Sequence, residues 1–381
     1  MRVILTGGGT GGHIYPALAI GQALSKNYRQ VEFLYVGSET GLEKRIVAAA
    51  GFPFVAIDVL GWQRRVSLQT LKVCYKTARA LFEAHAIVHD FQPDLVIGTG
   101  GYVSLPVVWA AARQQKATFI HEQNAFPGLA NKFLSRRVSG VLLTYPEAAK
   151  YFAPGVQKKL HITGLPIRPA IMRINRDEGL KHFGFTIDKP VLLVVGGSRG
   201  AGSINRAMLD VYKDVKLSSY LQIIHLVGAV GYEAYVRELR STGIYMGNCG
   251  NINVMPYLQE MEYAVACADL CVARAGAAFL SEMTAKGVPG ILIPYPLAAE
   301  NHQEYNARTL VDAGAAEMIL DRDLNGKKLL ESIRNILYND KRRLQMQENS
   351  LKAGKPEALE KIIRVITSEP TSVTPYQKLH I

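Results

Sequence analysis

Residues 5–16, "LTGGGTGGHIYP", put five glycines and a histidine between the apolar run Val3-Ile4-Leu5 and the helix-like "ALAIGQAL". Two more glycine clusters follow apolar runs, Gly98 to Gly101 in "GTGGYVSLP" and Gly196 to Gly202 in "GGSRGAGSIN". Glycine lets a backbone come close to a bound group, and a helix starting just after such a turn points N–H groups and its positive end at an anion. Phosphate or diphosphate suits that chemistry. Tight strand-to-helix packing is the other use of such turns, and three clusters in one chain weigh against it. His13 falls in the first turn of the coming helix, where a positive local potential favours the neutral imidazole. There it is either a general base or a capping and packing residue.

The spacings exclude some familiar chemistries. No GxxxxGK[ST] occurs, which disfavours a P-loop NTPase, and "GGTGGH" meets the dinucleotide fingerprint only loosely. About 20 residues further on, Val31-Glu32-Phe33 places its carboxylate inside a strand, which disfavours a nicotinamide enzyme. The four cysteines, Cys74, Cys249, Cys267 and Cys271, form neither a disulfide framework nor zinc-ligand spacing, so a reducing compartment is expected and no metal. "Asp321-Arg322-Asp323" is the one Asp-x-Asp; late in the chain beside a helix start, it reads as a capping pair.

The elements that would carry these turns are short apolar runs alternating with helical patterns. In order they are "RVILT", "VEFLYVG", "PDLVIG", "ATFIH" and "GVLLT", then "PVLLVVGG", "LQIIHLVG", "NINVMPY", "DLCVARAG" and "PGILIPY". Continuous apolar strands separated by helices imply parallel sheets covered on both faces. Each set opens on a strand entering a glycine-rich turn. The chain of 381 residues, 48% apolar, is long for a single core. The fold class is therefore α/β, with two Rossmann-like, doubly wound domains. Pro166 and Pro169 oppose a continuous helix, which puts the linker near Leu165. A last amphipathic helix from Pro356 to Thr367 precedes a Pro/Ser/Thr tail.

"GGGTGGHIYPALAI", "GTGGYVSLP", "HEQNAFPGLANK", "GGSRGAGSIN" and "ENHQEYNA" occur in an order and spacing that resemble the MurG family, the GT-B glycosyltransferases of family 28. The resemblance runs from Met1 to about residue 365. It implies two domains facing a cleft: residues 1–165 for the lipid acceptor and the membrane, and 166–350 for UDP-GlcNAc. Residues 351–367 would return to the first domain, and 368–381 would form a mobile tail. The implied activity is inverting transfer of GlcNAc from UDP-GlcNAc to the C4 hydroxyl of the muramyl sugar of undecaprenyl-linked lipid I, giving lipid II for peptidoglycan synthesis. His13 would be the base, with Glu122 a nearby titratable alternative. Thr10, Gly11, Gly12 and Asn124 would line the acceptor side. Gly197 and Ser198 would hold the donor diphosphate with Arg168, and Ala277 and Ala278 belong to the same set. Glu282 would take the ribose hydroxyls, Gln303 would both donate to and accept from the sugar, and the backbone at Leu258 would read the uracil edge. No cofactor or metal is expected. Ala275, Phe279 and Glu300 depart from the commoner family residues, and Phe279 replaces a small polar group near the expected sugar-phosphate site.

An acceptor on a polyprenyl diphosphate implies work at the cytoplasmic membrane face, as a peripheral protein with other cell-wall synthesis proteins as partners. The net charge of +12 suits an acidic partner or an anionic membrane surface. From Trp62 to Phe91, Leu68, Leu71, Tyr75 and Phe82 recur at helical spacing among Lys72, Lys76 and Arg79. That stripe is either an interfacial helix on anionic lipid or one packed into the first domain's core. No apolar run reaches the ~18 residues of a spanning helix, and "MRVILT" is too short for a signal peptide. The alternatives are a transferase acting on another glycolipid or natural-product acceptor, and a UDP-GlcNAc epimerase. A nucleic-acid partner is disfavoured, because RNP-type aromatics and a dense Lys/Arg helix are missing.

Overall fold

The computed structural model describes residues 1–28, 30–39, 41, 43–59, 68–197, 200–241 and 251–368; of residues 68–75, 215, 216 and 218 it describes the backbone alone. The chain forms two compact units, Met1–Ile167 with the segment from Glu357 onward, and Arg168–Pro356.

In the first unit the order is β1 (Arg2–Thr6), α1 (Gly11–Asn27), β2 (Glu32–Ser38), α2 (Glu43–Ala49), β3 (Phe54–Ile57), α3 (Leu68–Phe91), β4 (Leu95–Gly98), α4 (Ser104–Arg113), β5 (Ala117–Glu122), α5 (Leu129–Leu134), β6 (Gly140–Leu143) and β7 (Leu160–Ile162). Its strands form a parallel sheet in the order β3-β2-β1-β4-β5-β6-β7. The reversal between β2-β1 and β4-β5 is the switch point of a doubly wound sheet, where loops at the strands' C-terminal ends part and leave room for a ligand. β1 and β4 lie side by side there, with Thr6 opposite Gly98, so the first two glycine turns emerge together.

The second unit runs α6 (Pro169–Arg173), α7 (Arg176–Phe183), β8 (Val191–Val195), α8 (Gly202–Lys213), α9 (Val215–Tyr220), β9 (Gln222–Leu226), α10 (Tyr232–Ser241), β10 (Ile252–Met255), α11 (Met261–Cys267), β11 (Leu270–Ala273), α12 (Ala277–Ala285), β12 (Gly290–Leu292), α13 (His302–Asp312), β13 (Ala316–Met318), α14 (Gly326–Leu337) and α15 (Asp340–Ala353). Its parallel sheet is ordered β10-β9-β8-β11-β12-β13, with the same reversal beside β8. Continuous burial along β8, β9 and β11 explains their unbroken apolar sequences, since helices cover both faces.

Three strands escaped the apolar-run reading: β3, β7 and β13. The last two are three residues each, and "AEM" in β13 has no β-branched residue. The linker expected near Leu165 falls between Ile167 and Arg168. Residues 351–356, expected to leave with the final helix, stay in the second unit. There Gly354 packs so closely on the Thr284 backbone that a Cβ would not fit, and Leu351 lies over Gly287. The final helix, α16 (Ala358–Ser368), belongs to the first unit. It buries Ala358, Ile362 and Ile366, the latter two in the cluster that holds Ile14, Ala17 and Leu18 of α1. Truncating one such isoleucine to alanine costs on the order of 2–5 kcal/mol.

Asp321-Arg322-Asp323 is not a capping pair. The three residues form one 3-10 turn, and the cap of α14 is Asn325, whose side chain accepts from the Lys328 N–H at 2.9 Å. Asp321 is turned instead toward Ser203 and Arg274.

Candidate functional site

In the first unit the opening turn is locked by its neighbours. The Gly8 N–H donates to the Gly100 carbonyl at 3.2 Å. Gly101 has φ +81°, and a Cβ there would strike the Gly8 carbonyl, so only glycine lets the two turns interlock. Beneath them lies Glu43, fully buried, whose Oε1 accepts from the Gly9 N–H and the Ser38 hydroxyl, each at 2.9 Å. Thr10 starts α1 with its carbonyl alone and gives no side-chain cap. The first-turn amides at Gly11 and Gly12 therefore keep the character of a helix N-terminus.

His13, partly buried in that first turn, sets its Nδ1 2.9 Å from the Thr99 carbonyl. A carbonyl only accepts, so Nδ1 carries the proton and the lone pair falls on Nε2. Gln123 supports the same carbonyl, donating Nε2–H to it at 2.6 Å, and the Thr99 hydroxyl donates to the His13 carbonyl at 2.6 Å. The imidazole tautomer that can accept a proton is thus fixed by two residues far along the chain. Neither Thr99 nor Gln123 was singled out from sequence, although both lie inside quoted motifs.

The "HEQN" segment ends β5. His121 is fully buried; burial pushes its pKa down to about 4, and its Nε2 donates to the Gly164 carbonyl at 2.9 Å. Glu122 does not have the surroundings of a base. It is 2% exposed and accepts from the Asn124 N–H (3.0 Å), the Asn124 Nδ2 (3.3 Å), the Gly128 N–H (3.0 Å) and the Asn131 Nδ2 (2.7 Å). Burial raises its pKa, and the donated bonds pull the other way. Its geometry is that of a bracket for the 123–131 turn, which places Asn124.

In the second unit, Gly197 (φ +86°) is exposed at the end of β8, and Ser198 lies outside the described residues. Gly200 (φ +80°) passes so close under the Val227 carbonyl that a side chain would collide. Ala277 opens α12 and is buried, whereas Ala278 is exposed. Leu258, partly buried, follows the end of β10.

Arg168 and Glu282, expected at phosphate and ribose, are bonded to each other. Arg168 Nε donates to Glu282 Oε1 at 2.7 Å and Nη2 to Oε2 at 2.9 Å, a bidentate pair; Nη1 donates to the Gln259 carbonyl at 3.3 Å. As arranged, Arg168 orients Glu282 rather than turning to Gly197. Gln303 is also more specialised than expected. Its Oε1 accepts from the Ala275 N–H at 3.1 Å and the Tyr295 N–H at 2.9 Å, so the amide presents Nε2 outward as a donor. Two consecutive left-handed residues, Glu300 (φ 55°) and Asn301 (φ 53°), bring the chain into that position. His302 gives Nδ1–H to the Ala299 carbonyl at 2.7 Å, and burial lowers its pKa.

Of the candidate lipid-facing residues, Leu68, Leu71, Lys72 and Tyr75 have side chains outside the described set. α3 packs inward through Ala80, Ala84 and Val88, and leaves Phe82 83% exposed in a shallow depression with Ala78, Arg79, Glu83 and Ala86. Phe82 is therefore not a core residue. Lys76 pairs with Asp58 and Arg79 with Glu83, each at 2.7 Å. Leu129 and Phe133 of α5 are exposed too, with Arg137 stacked 4.9 Å from the Phe133 ring, a feature the sequence reading missed. Among the described residues no helix is long and apolar enough to cross a membrane, and no group of three His, Cys, Asp or Glu side chains could hold a metal.

Comparison with known proteins matches residues 3–143 to the Glycosyltransferase family 28 N-terminal domain and residues 191–362 to the Glycosyltransferase family 28 C-terminal domain. A protein of Desulforamulus reducens is 49% identical over 366 residues, 96% of this chain and 98% of its own length. It is named "UDP-N-acetylglucosamine--N-acetylmuramyl-(pentapeptide) pyrophosphoryl-undecaprenol N-acetylglucosamine transferase". A protein of the same name from Halothermothrix orenii is 46% identical, over 96% of this chain and 98% of its own. Among solved structures, MurG of Acinetobacter baumannii superposes with a TM-score of 0.75 at 27% identity, covering 96% of this chain and 99% of that one. A Listeria monocytogenes structure titled as a putative UDP-N-acetylglucosamine 2-epimerase gives 0.70 at 14% identity, over 100% of this chain and 99% of that one, and shares the fold alone.

Proposed function

The chain belongs to glycosyltransferase family 28 and is an N-acetylglucosaminyltransferase, and from that premise we infer how its two units divide the work. It transfers GlcNAc from UDP-GlcNAc to the C4 hydroxyl of the muramyl sugar of lipid I, giving lipid II. Full-length relatives of that name at 46–49% identity support this over an epimerase, whose likeness is one of fold.

In the proposed mechanism the first unit holds the acceptor, with Thr10, Gly11, Gly12 and Asn124 beside it. Nε2 of His13 takes the proton from the 4-hydroxyl as that oxygen attacks the anomeric carbon. Attack from the face opposite UDP breaks the bond to the diphosphate and inverts the centre. The second unit holds the donor: Gly197, Ser198 and the N-terminus of α8 at the diphosphate, Glu282 at the ribose, the backbone at Leu258 at the uracil. Ala277 and Ala278 open α12 beside the sugar, and Gln303 Nε2 donates to a sugar hydroxyl. The leaving diphosphate is stabilised by backbone N–H groups and the helix dipole, so no metal is required, and Arg168 holds Glu282 toward the ribose. The observation that carries this reading is the 2.9 Å contact between His13 Nδ1 and the Thr99 carbonyl, which makes Nε2 the basic nitrogen.

The lipid acceptor keeps the enzyme at the cytoplasmic face of the membrane, as a peripheral protein among other cell-wall synthesis proteins. Phe82 with the cations of α3 is the proposed point of contact with anionic lipid. Labelled UDP-GlcNAc incubated with a lipid I analogue, with and without EDTA, tests the proposal. β-linked disaccharide and UDP, formed equally in both, support it; transfer abolished by EDTA removes the metal-free route, and no transfer removes the substrate assignment.

A further inference from the structure

The Asp-x-Asp that failed as a helix cap has another occupation. Ser203, in the first turn of α8, donates its hydroxyl to Asp321 Oδ1 at 2.6 Å. Arg274, just past β11 and with its side chain 12% exposed, gives Nη1 to the same Asp321 oxygen and Nη2 to the Ser203 hydroxyl oxygen at 3.0 Å. Nη1 also reaches the Ile293 and Pro294 carbonyls, each at 3.1 Å, just past β12. Asp321 itself follows β13. One guanidinium and one carboxylate therefore tie the first turn of α8, the helix that follows β8, to the segments just past β11, β12 and β13, and these four strands are adjacent in the sheet. This is the edge of a doubly wound sheet at which ligands bind.

The residues next to this clamp are the ones that orient Gln303. Ala275 follows Arg274 and Tyr295 follows Pro294, and their N–H groups are the two that Gln303 Oε1 accepts. The cluster thus sets the spacing of three parts of the donor site: the first turn of α8, the turn holding Ala275, and the turn holding Tyr295. A partly buried ionic network of this sort is weak evidence of net stability, because desolvation offsets much of the attraction. What it supplies is one polar arrangement that links these four segments to one another.

We propose that Asp321 is a positioning residue for the donor, acting through Ser203 and Arg274 to hold the diphosphate turn and the Gln303 amide at a fixed separation. The role rests on the assignment of this unit to UDP-GlcNAc. Asp321→Ala removes the shared acceptor of Ser203 and Arg274. Asp321→Asn keeps an acceptor oxygen without the charge, and Ser203→Ala cuts only the link to α8. The measurements are KM for UDP-GlcNAc, KM for a lipid I analogue, kcat and the thermal midpoint.

The expected result is an increase of about tenfold in donor KM for Asp321→Ala and about threefold for Ser203→Ala, with acceptor KM unchanged within about twofold. Asp321→Asn should restore most of the donor affinity. Donor KM within about twofold of wild type in a folded Asp321→Ala protein overturns the proposal, as does a parallel rise of donor and acceptor KM that tracks a falling thermal midpoint. If Asp321→Ala does not fold, Ser203→Ala and Asp321→Asn decide in the same way, with unchanged donor KM in both counting against it. Wild-type protein that neither binds nor uses UDP-GlcNAc would instead remove the donor assignment, which this set of variants distinguishes from failure of the clamp alone.

Discussion

The two glycine turns that open the two sheets look alike in sequence and stand in different surroundings. The first, Gly7 to Gly12, interlocks with a second glycine turn, rests on the buried carboxylate of Glu43, and carries His13 in the first turn of its helix. The second, Gly196 to Gly202, has a serine in the first turn of its helix, and behind it stands the guanidinium of Arg274. A buried carboxyl group braces one turn from beneath, and an Arg274–Asp321 ion pair braces the other through Ser203. In the proposed mechanism the first turn removes a proton from the acceptor hydroxyl and the second receives the donor diphosphate. Glycine content alone says only that a ligand comes close; the ionisable groups around the turn say which chemistry follows.

The sharpest way to break this comparison is His13→Ala. Loss of a general base lowers kcat by about 10²–10⁴-fold, while donor affinity, measured by UDP titration, should stay unchanged. A loss of donor affinity instead would put the histidine on the nucleotide side. Next in size are Gly101→Ala and Gly200→Ala, each forcing a side chain into a collision at positive φ, for roughly 2–4 kcal/mol of local stability. Chemical denaturation and hydrogen exchange should locate the damage in the first unit for Gly101 and in the second for Gly200. Only the Gly200 variant should lose UDP affinity.

Glu122→Gln sharpens the assignment within the first unit. In the proposed mechanism Glu122 brackets a turn and His13 takes the proton, so the variant should lose up to about tenfold in activity through misplaced Asn124. The acid limb of its kcat/KM profile should stay where it was, and a displaced limb would return Glu122 to candidacy as the base. The smallest effect is in pH dependence. Burial pushes His225 in the second unit down to about 3 and His121 in the first down to about 4. Both are neutral when folded, whereas unfolded imidazoles take up protons near pH 6.5, so their stability contributions are complete above that and lost as pH falls. The second unit also holds His302, another imidazole whose pKa burial lowers. Between pH 6.5 and 4.5 the second unit should therefore weaken more, by about 1.4 kcal/mol per pH unit for one such histidine. Hydrogen exchange resolved by unit checks this, and greater acid lability in the first unit would contradict it.

Much of the architecture is legible in the sequence, because strands buried on both faces must be continuously apolar and the turns between them need glycine. β3, β7 and β13 were not, being short or at the sheet edges, where nothing demands an unbroken run. The site was legible as residue types and much less as partnerships. His13 stands out from its neighbours, but its tautomer is set by Thr99 and Gln123, 86 and 110 positions away. Asp321 reads as a cap because an acid before a helix usually is one, and its real partners lie 118 and 47 positions earlier. Glu122 reads as a titratable group near the site until four donors are found around it. Phe82 fits a helical stripe, and periodicity cannot tell whether a stripe faces protein or something outside it.

The division of labour between the two turns is tested most directly by following backbone amides of the isotopically labelled full chain by NMR while UDP is added. The account predicts large shifts at Gly197, Gly200 and Gly202, and at Ala275 beside Gln303, with Gly9, Gly11 and Gly12 unmoved. Shifts concentrated at Gly11, Gly12 and His13 would mean that the nucleotide binds the first turn, and the assignment of the two turns would be reversed.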